Sequence, residues 1–205
     1  MCFYDSLVQV LEKVVCVVTD KAVSPLNTYG ATKLLMEKLF GSANNYVNPE
    51  KHKTKFVAVR YGNVLGSSGS VIPKFIELIK KNKPITITDP EMTRFMMTVE
   101  DAVDLVLFAF EHGHMGEIFV QKAPASTIKN LASALTKIME LPNHPIEVIG
   151  TRHGEKLFEV LLSREEMVSA RDLGEYYCVP PDLRDLNYGK FMDQGELKIS
   201  DAIDY

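Results

Sequence analysis

Between Thr19 and Lys33 the chain reads TDKAVSPLNTYGATK, which brings a carboxyl, two amines and a phenol into one short stretch. Tyr29 and Lys33 are i and i+4, so on a helix they share one face. A free phenol, with a pKa of about 10, is too weak a base to take a proton from an alcohol at neutral pH. A cation beside it favours the phenolate. Asp20 and Lys21 form a second acid–amine pair. It can supply the acid and the base of an elimination if the lysine is neutral part of the time. Each pair also has an ordinary reading: a helix-start tyrosine with a solvated lysine, and a salt-bridged pair in a loop. Tyr-x-x-x-Lys alone is a weak motif. Its weight here comes from following a Thr-Asp-Lys at a strand end.

The elements that must hold these residues can be read from the flanking pattern. Val14-Val15-Cys16-Val17-Val18 is an apolar, β-branched run of the kind that forms a buried parallel strand. Thr19, Asp20 and Lys21 then lie at its C-terminal end, where open α/β sheets place ligands. Pro25 and Asn27 mark a loop, and a helix is expected from about Thr28 to Ala43. Upstream, Phe3, Leu7, Val8, Val10 and Leu11 predict one helical face over 3–12. Downstream, Asn44 to Lys53 reads as a polar loop. Phe56 to Val59 is a second buried strand, ending in Arg60-Tyr61-Gly62-Asn63.

Gly62, Gly66 and Gly69 space the loop that follows, and Val71 to Lys81 is a helix with Pro73 tolerated in its first turn. Ile85 to Thr88 is a short strand. Thr98 with Asp101 makes a capping-box start for a helix through Phe110. Ile118 to Val120 is a strand, Thr127 to Met139 a helix capped by Ser126 or Thr127, and Glu147 to Ile149 a strand. Lys156 to Ala170 is expected to be helical, broken near Ser163, and the chain from Pro180 onward to be polar loop. Alternating strands and helices imply an α/β fold with a parallel sheet.

The stretch resembles the extended short-chain dehydrogenase/reductases. Within them it is similar to the UDP-N-acetylglucosamine 4,6-dehydratases of polysaccharide biosynthesis that invert C5. The wider sugar dehydratases carry Thr-Asp-Glu where this chain and the inverting branch carry Thr-Asp-Lys. The match continues through RYGNV (60–64), TDPEMTRF (88–95), FVQKAP (119–124), GTRHGEK (150–156) and VPPDLRDLNYGK (179–190), so it covers nearly the whole chain. The resemblance implies a partial Rossmann fold, a doubly wound parallel sheet lacking its first strands, plus a small C-terminal α/β substrate-binding region. Residues 1–84 would be the C-terminal part of the NAD(P)-binding domain with its catalytic helix. Residues 85–205 would be mainly substrate-binding, partly returning to the sheet. A strand and glycine-rich turn onto a helix normally open such a domain. Nothing before Val14 can supply them, which reads as an N-terminal truncation, and the end at Tyr205 also reads as early. Gly62, Gly66 and Gly69 do not substitute, because their spacing is G-x3-G-x2-G rather than G-x-G-x-x-G.

The resemblance also implies roles. Tyr29 would take the proton of the sugar C4 hydroxyl as hydride leaves C4. Lys33 would favour the phenolate and hold the nicotinamide ribose, and Thr19 would hydrogen-bond the sugar oxygen. Lys21 would take the C5 proton and Asp20 would protonate the departing C6 oxygen, with Lys21 also near the cofactor. Val64 would lie by the nicotinamide. Asn63, Ser68, Gly69 and Ser70 would contact the sugar nucleotide. Arg94 and Arg152 would hold its diphosphate and ribose, as guanidinium forks suit phosphate, with Thr88 and Glu155 as weaker candidates. Relatives usually carry Arg where this chain has Ser68, and often Ser where it has Val18.

The leading expectation is therefore a nucleotide-sugar 4,6-dehydratase with bound NADP, or else NAD, making a 4-keto-6-deoxy UDP-sugar for capsule or O-antigen synthesis. A UDP-sugar 4-epimerase is the close rival. It shares Thr, Tyr and Lys but needs no elimination pair, so Asp20-Lys21 favours the dehydratase. A catalytically dead fragment is the third reading. The composition, 46% hydrophobic and 24% charged with net charge −4, is ordinary globular and gives no reason to expect nucleic acid. No apolar run is long enough to span a membrane, and no signal peptide pattern is present. Cys2, Cys16 and Cys178 lack metal spacing, and the five histidines show none. Reduced cysteines fit a cytoplasmic protein. Leu34, Leu35, Lys38 and Leu39 extend beyond the catalytic face of their helix, and the resemblance implies a homodimer or higher even-numbered oligomer.

Overall fold

The computed structural model describes residues 11–43, 53–181 and 197–205. The expected helix over 3–12 and the loop over 44–53 fall almost wholly outside them. The described chain forms two compact units. One comprises the described residues within 1–60, 103–122 and 160–205, and the other residues 61–102 and 123–159. Contacts thus divide the chain at several crossings, with residues 103–122 and 160–205 grouped with the first sheet. The reason lies in the sheets. Each unit recruits strands from distant parts of the sequence.

The first unit is built on a five-stranded sheet in the order β1-β2-β6-β10-β9. β1 is Lys13–Thr19, β2 Lys55–Tyr61, β6 Ile118–Gln121, β9 Arg171–Asp172 and β10 Tyr176–Val179. β2 is buried continuously from Phe56 to Arg60, as a strand covered on both faces must be. It pairs in parallel with β6, Ala58 facing Ile118. β10 closes antiparallel on β6 and carries β9 at the edge. A short 3-10 turn, Asp20–Ala22, follows β1, and helix α1, Thr28–Ser42, comes next. Leu34, Met36 and Phe40 of α1 pack on Cys16, Val18, Ala22 and Ala58. Phe40 also meets Phe56 edge-on at 5.3 Å. Leu35 and Leu39 point outward, 59% and 61% exposed.

The second unit holds a three-stranded sheet, β3 (Asn63–Val64), β5 (Thr93–Met97) and β7 (Ala125–Thr127), and a parallel pair, β4 (Ile85–Ile87) with β8 (Ile146–Val148). Helices α2, Val71–Lys80, and α4, Ile128–Ile138, cover a core of Phe75, Ile79, Ile85, Ile87, Met92, Ile128 and Ala132. Thr127 is the cap of α4, its hydroxyl accepting from the Asn130 N–H. Helix α3, Val99–His112, opens with the expected box: Thr98 and Asp101 each bond the other's backbone N–H.

Two expectations fail. Residues 156–162 are not helical; only Arg164–Ser169 is (α5), capped by Ser163 in a box with Glu166. The carbonyls of Lys156 and Leu157 are engaged elsewhere, by the Arg94 side chain and the Thr93 N–H. Leu161 and Leu162 pair with the backbone of Tyr205. Nor is the region after Pro180 all loop, since Leu197–Asp201 forms a helical turn, α6. Strands β3, β5, β7, β9 and β10 were also not anticipated.

Candidate active site

In the first unit, β1 delivers Thr19, Asp20 and Lys21 into the 3-10 turn. The Thr19 hydroxyl caps that turn, accepting from the Lys21 N–H at 3.0 Å and donating to Asp20 Oδ1 at 3.0 Å. Its one proton is thereby used, and one lone pair remains to receive a further donor. Lys21 Nζ donates to the same Asp20 oxygen at 2.9 Å. The Asp20 side chain is fully buried while that of Lys21 is 38% exposed. Asp20 Oδ2 is buried without a hydrogen-bond partner.

Asn27 starts α1, its side-chain oxygen accepting from the Gly30 N–H at 2.9 Å. This sets Tyr29 in the first turn, 55% exposed. Lys33, one turn on, places its ammonium 5.6 Å from the centre of the Tyr29 ring, within cation–π range. Among the described residues Lys33 has no carboxylate partner. Gly30 permits the helix start to sit against the turn, for a Cβ there would stand 2.6 Å from the Lys21 carbonyl oxygen. The five first-unit candidates are thus gathered on one turn and one helix start.

Three residues not singled out in the sequence stand behind this group. Arg60, 2% exposed, binds the Glu37 carboxylate through Nε and Nη2, both at 2.6 Å. It binds Glu166 through Nη1 at 2.8 Å and Nη2 at 2.7 Å, and the Leu161 carbonyl at 3.1 Å. Every guanidinium N–H is used. Burial alone would raise the Glu166 carboxyl, but Arg60 outweighs it and holds the group below the usual carboxylate value. Glu37 lies one turn beyond Lys33. Its place among apolar helix residues was the only local signal.

The second-unit candidates lie on β3, the loop after it, and two further segments. Asn63 and Val64 form β3, paired with Met96 and Met97. Gly66 and Gly69 both have positive φ, 71° and 74°, which suits glycine. Asn63 Oδ1 and Ser70 Oγ are buried without hydrogen-bond partners, whereas Ser68 is exposed. The Thr88 hydroxyl faces Met92 Sδ at 3.8 Å. Arg94 donates to the carbonyls of Thr93 at 2.7 Å and Lys156 at 3.0 Å. Its guanidinium is therefore tied to backbone as it stands. Arg152, 56% exposed at its side chain, lies 3.9 Å from Glu155. Lys156 and Glu159, 3.4 Å apart and close to Arg94, are charged neighbours that the sequence did not mark. Among the described residues no cluster of His, Cys, Asp and Glu could hold a metal ion. No helix among them is long and apolar enough to cross a membrane.

The mixed α/β sheet that carries the strand-end Thr-Asp-Lys and the helix-borne Tyr–Lys pair shares the fold of solved nucleotide-sugar epimerases and dehydratases. The chain belongs to the polysaccharide biosynthesis protein family, whose model matches residues 5–181. A relative named UDP-glucose 4-epimerase, from Rickettsia bellii, is 57% identical over 94% of this chain. The chain spans 56% of that relative's length, about half of it. The X-ray structure of Pen from Bacillus thuringiensis is 38% identical, with a TM-score of 0.82 over 89% of this chain and 57% of that one. The UDP-glucuronic acid 4-epimerase of Bacillus cereus, solved with UDP-glucuronic acid and NAD, shares the fold at 21% identity. Its TM-score is 0.66 over 77% of this chain and 55% of that one.

Proposed function

We propose that this chain supplies the acid–base residues of a UDP-sugar-modifying enzyme that first oxidises the sugar at C4, and that the outcome is 4-epimerisation. The observation that carries the reading is the exposed Tyr29 with Lys33 beside its ring, held against the Thr19 turn. Tyr29 removes the C4 hydroxyl proton. Lys33, its ammonium 5.6 Å from the ring centre, is the cation beside that base. The free lone pair of Thr19 accepts a hydrogen bond from the sugar, whose ring is thereby oriented. A bound nicotinamide, NAD or NADP, supplies the hydride acceptor at C4. Asn63 and Ser70, with unpartnered buried oxygens, are proposed contacts for the nucleotide sugar, together with Val64, Ser68, Gly69, Thr88, Arg94, Arg152 and Glu155. A diphosphate contact from Arg94 requires it to leave its carbonyl partners.

Two points support epimerisation over elimination. The relatives at 53–57% identity carry the name UDP-glucose 4-epimerase. Lys21 Nζ is also engaged by Asp20 Oδ1 at 2.9 Å, so a C5 proton would have to compete with that contact for the amine. One observation favours the second reading, a 4,6-dehydratase. A buried acid with one unpartnered oxygen and a partly exposed lysine sit together at the strand end, the two groups an elimination across C5 and C6 needs.

Because the chain spans about half its relatives' length, activity is assayed with these residues replacing the matching segment of the Rickettsia bellii relative. Tyr29→Phe should abolish turnover under either reading. General-base help is worth about 10²–10⁴ in rate, so Lys21→Met separates them. Turnover retained within about tenfold fits an epimerase; a product lost altogether fits elimination. Assembly as a homodimer through the outward face of α1 is part of the same proposal, checked by light scattering.

A further inference from the structure

Glu37 raises a question that the catalytic pair alone does not answer. On α1 it is four residues beyond Lys33, the spacing at which a lysine and a glutamate pair on a helix surface. A carboxylate that captured Lys33 would draw the ammonium away from Tyr29 and cancel its charge there. Yet Glu37 is 2% exposed and turned inward, and both its oxygens are held by Arg60 at 2.6 Å. Lys33 in turn has the Tyr29 ring as its neighbour. The two charges are close enough that both act on the Cys16 thiol, in opposite directions.

We propose that Arg60 is a positioning residue that sequesters Glu37, and so leaves Lys33 free to serve Tyr29. Glu166 completes the device. Its carboxylate occupies the other edge of the guanidinium at 2.8 Å and 2.7 Å, which fixes the plane of the fork and directs its remaining edge at Glu37. A lysine at position 60 would be a point charge without this two-sided reach. The inference rests on the reading that Tyr29 and Lys33 act together.

The decisive comparison is Arg60→Met/Glu166→Gln against the same protein with Glu37→Leu added. The first leaves Glu37 as the only carboxylate of the network, with Lys33 one turn before it on the same helix. Its kcat should fall by about tenfold or more as the base loses its cation, with KM little changed. The second has no carboxylate to capture Lys33, and its kcat should return to within about threefold of wild type. Replacing a buried ion network by apolar groups is often neutral for stability. If the first variant does not fold, the second still decides. A mere structural strut predicts that it stays impaired, and that result overturns the proposal, as does an unimpaired first variant. Crystal structures of the full chain give a readout without turnover. Lys33 Nζ should lie within salt-bridge distance of Glu37 in the first variant and by the Tyr29 ring in the second. Lys33 unmoved in the first variant contradicts the proposal. A wild type that oxidises no UDP-sugar would defeat the functional reading alone, since the crystallographic comparison stands without it.

Discussion

Gly30 of α1 lies so near the Lys21 carbonyl oxygen that a Cβ added to it would stand at 2.6 Å, with Pro25 Cβ at 2.9 Å. The obstacle includes backbone, so it cannot swing aside. Gly30→Ala must therefore push the helix start, and Tyr29 with it, off the Thr19–Lys21 turn. Overpacking of this kind costs about 1–3 kcal/mol. Gly41, near the other end of the same helix, has nothing within 4 Å of an added Cβ. Gly41→Ala should stabilise by about 0.5 kcal/mol through reduced unfolded-state entropy. Urea unfolding of the two variants should give shifts of opposite sign. Equal shifts would mean that the helix start is not pinned.

The acid limb of stability follows from Glu166. Its carboxyl is held below the usual value because Arg60 outweighs the opposing effect of burial. A depressed folded pKa contributes stability that is present above the unfolded value of about 4.5 and is lost as pH falls through the folded one. Unfolding free energy should therefore drop from pH 6 to pH 3, and Glu166→Gln should drop less over that window. A parallel decline in both proteins would remove Glu166 from the account.

Burial pushes the Cys16 thiol up to about 11, and the nearby Glu37 carboxylate adds to the effect. Burial likewise raises Cys178. The thiolate is the reactive form, so both should resist alkylation in the native chain at pH 8 and react once urea unfolds it. Peptide mapping after iodoacetamide treatment reads this directly. Modification of Cys16 at equal rates in both conditions would contradict the packing of β1 under α1.

The parts of this structure that were legible in the sequence are those set by neighbours along the chain. Thr98 with Asp101, Thr127 before its helix, and Tyr29 with Lys33 all act over one turn, and each stands as the spacing implied. The buried run of β2 was equally plain from its apolar residues. What escaped depends on distant partners. Residues 156–162 lose their helix because Arg94 and Thr93 take the Lys156 and Leu157 carbonyls. β10 forms because Tyr176–Val179 finds β6, which lies far upstream in the chain. Arg60 reaches Glu37 and Glu166 across 23 and 106 positions. No local pattern encodes those separations, so the network of Arg60, Glu37 and Glu166 could be read only from the fold.

The central claim, C4 oxidation followed by 4-epimerisation, is tested most directly by the product formed in D₂O. The chain, completed with the remaining segment of the Rickettsia bellii relative, is incubated with UDP-glucose and, in parallel, with UDP-N-acetylglucosamine. The product is then examined by proton NMR. The account predicts a C4 epimer that keeps its C6 hydroxyl and carries no deuterium at C5. A 6-deoxy-4-keto sugar deuterated at C5 would contradict it and assign Asp20 and Lys21 to elimination.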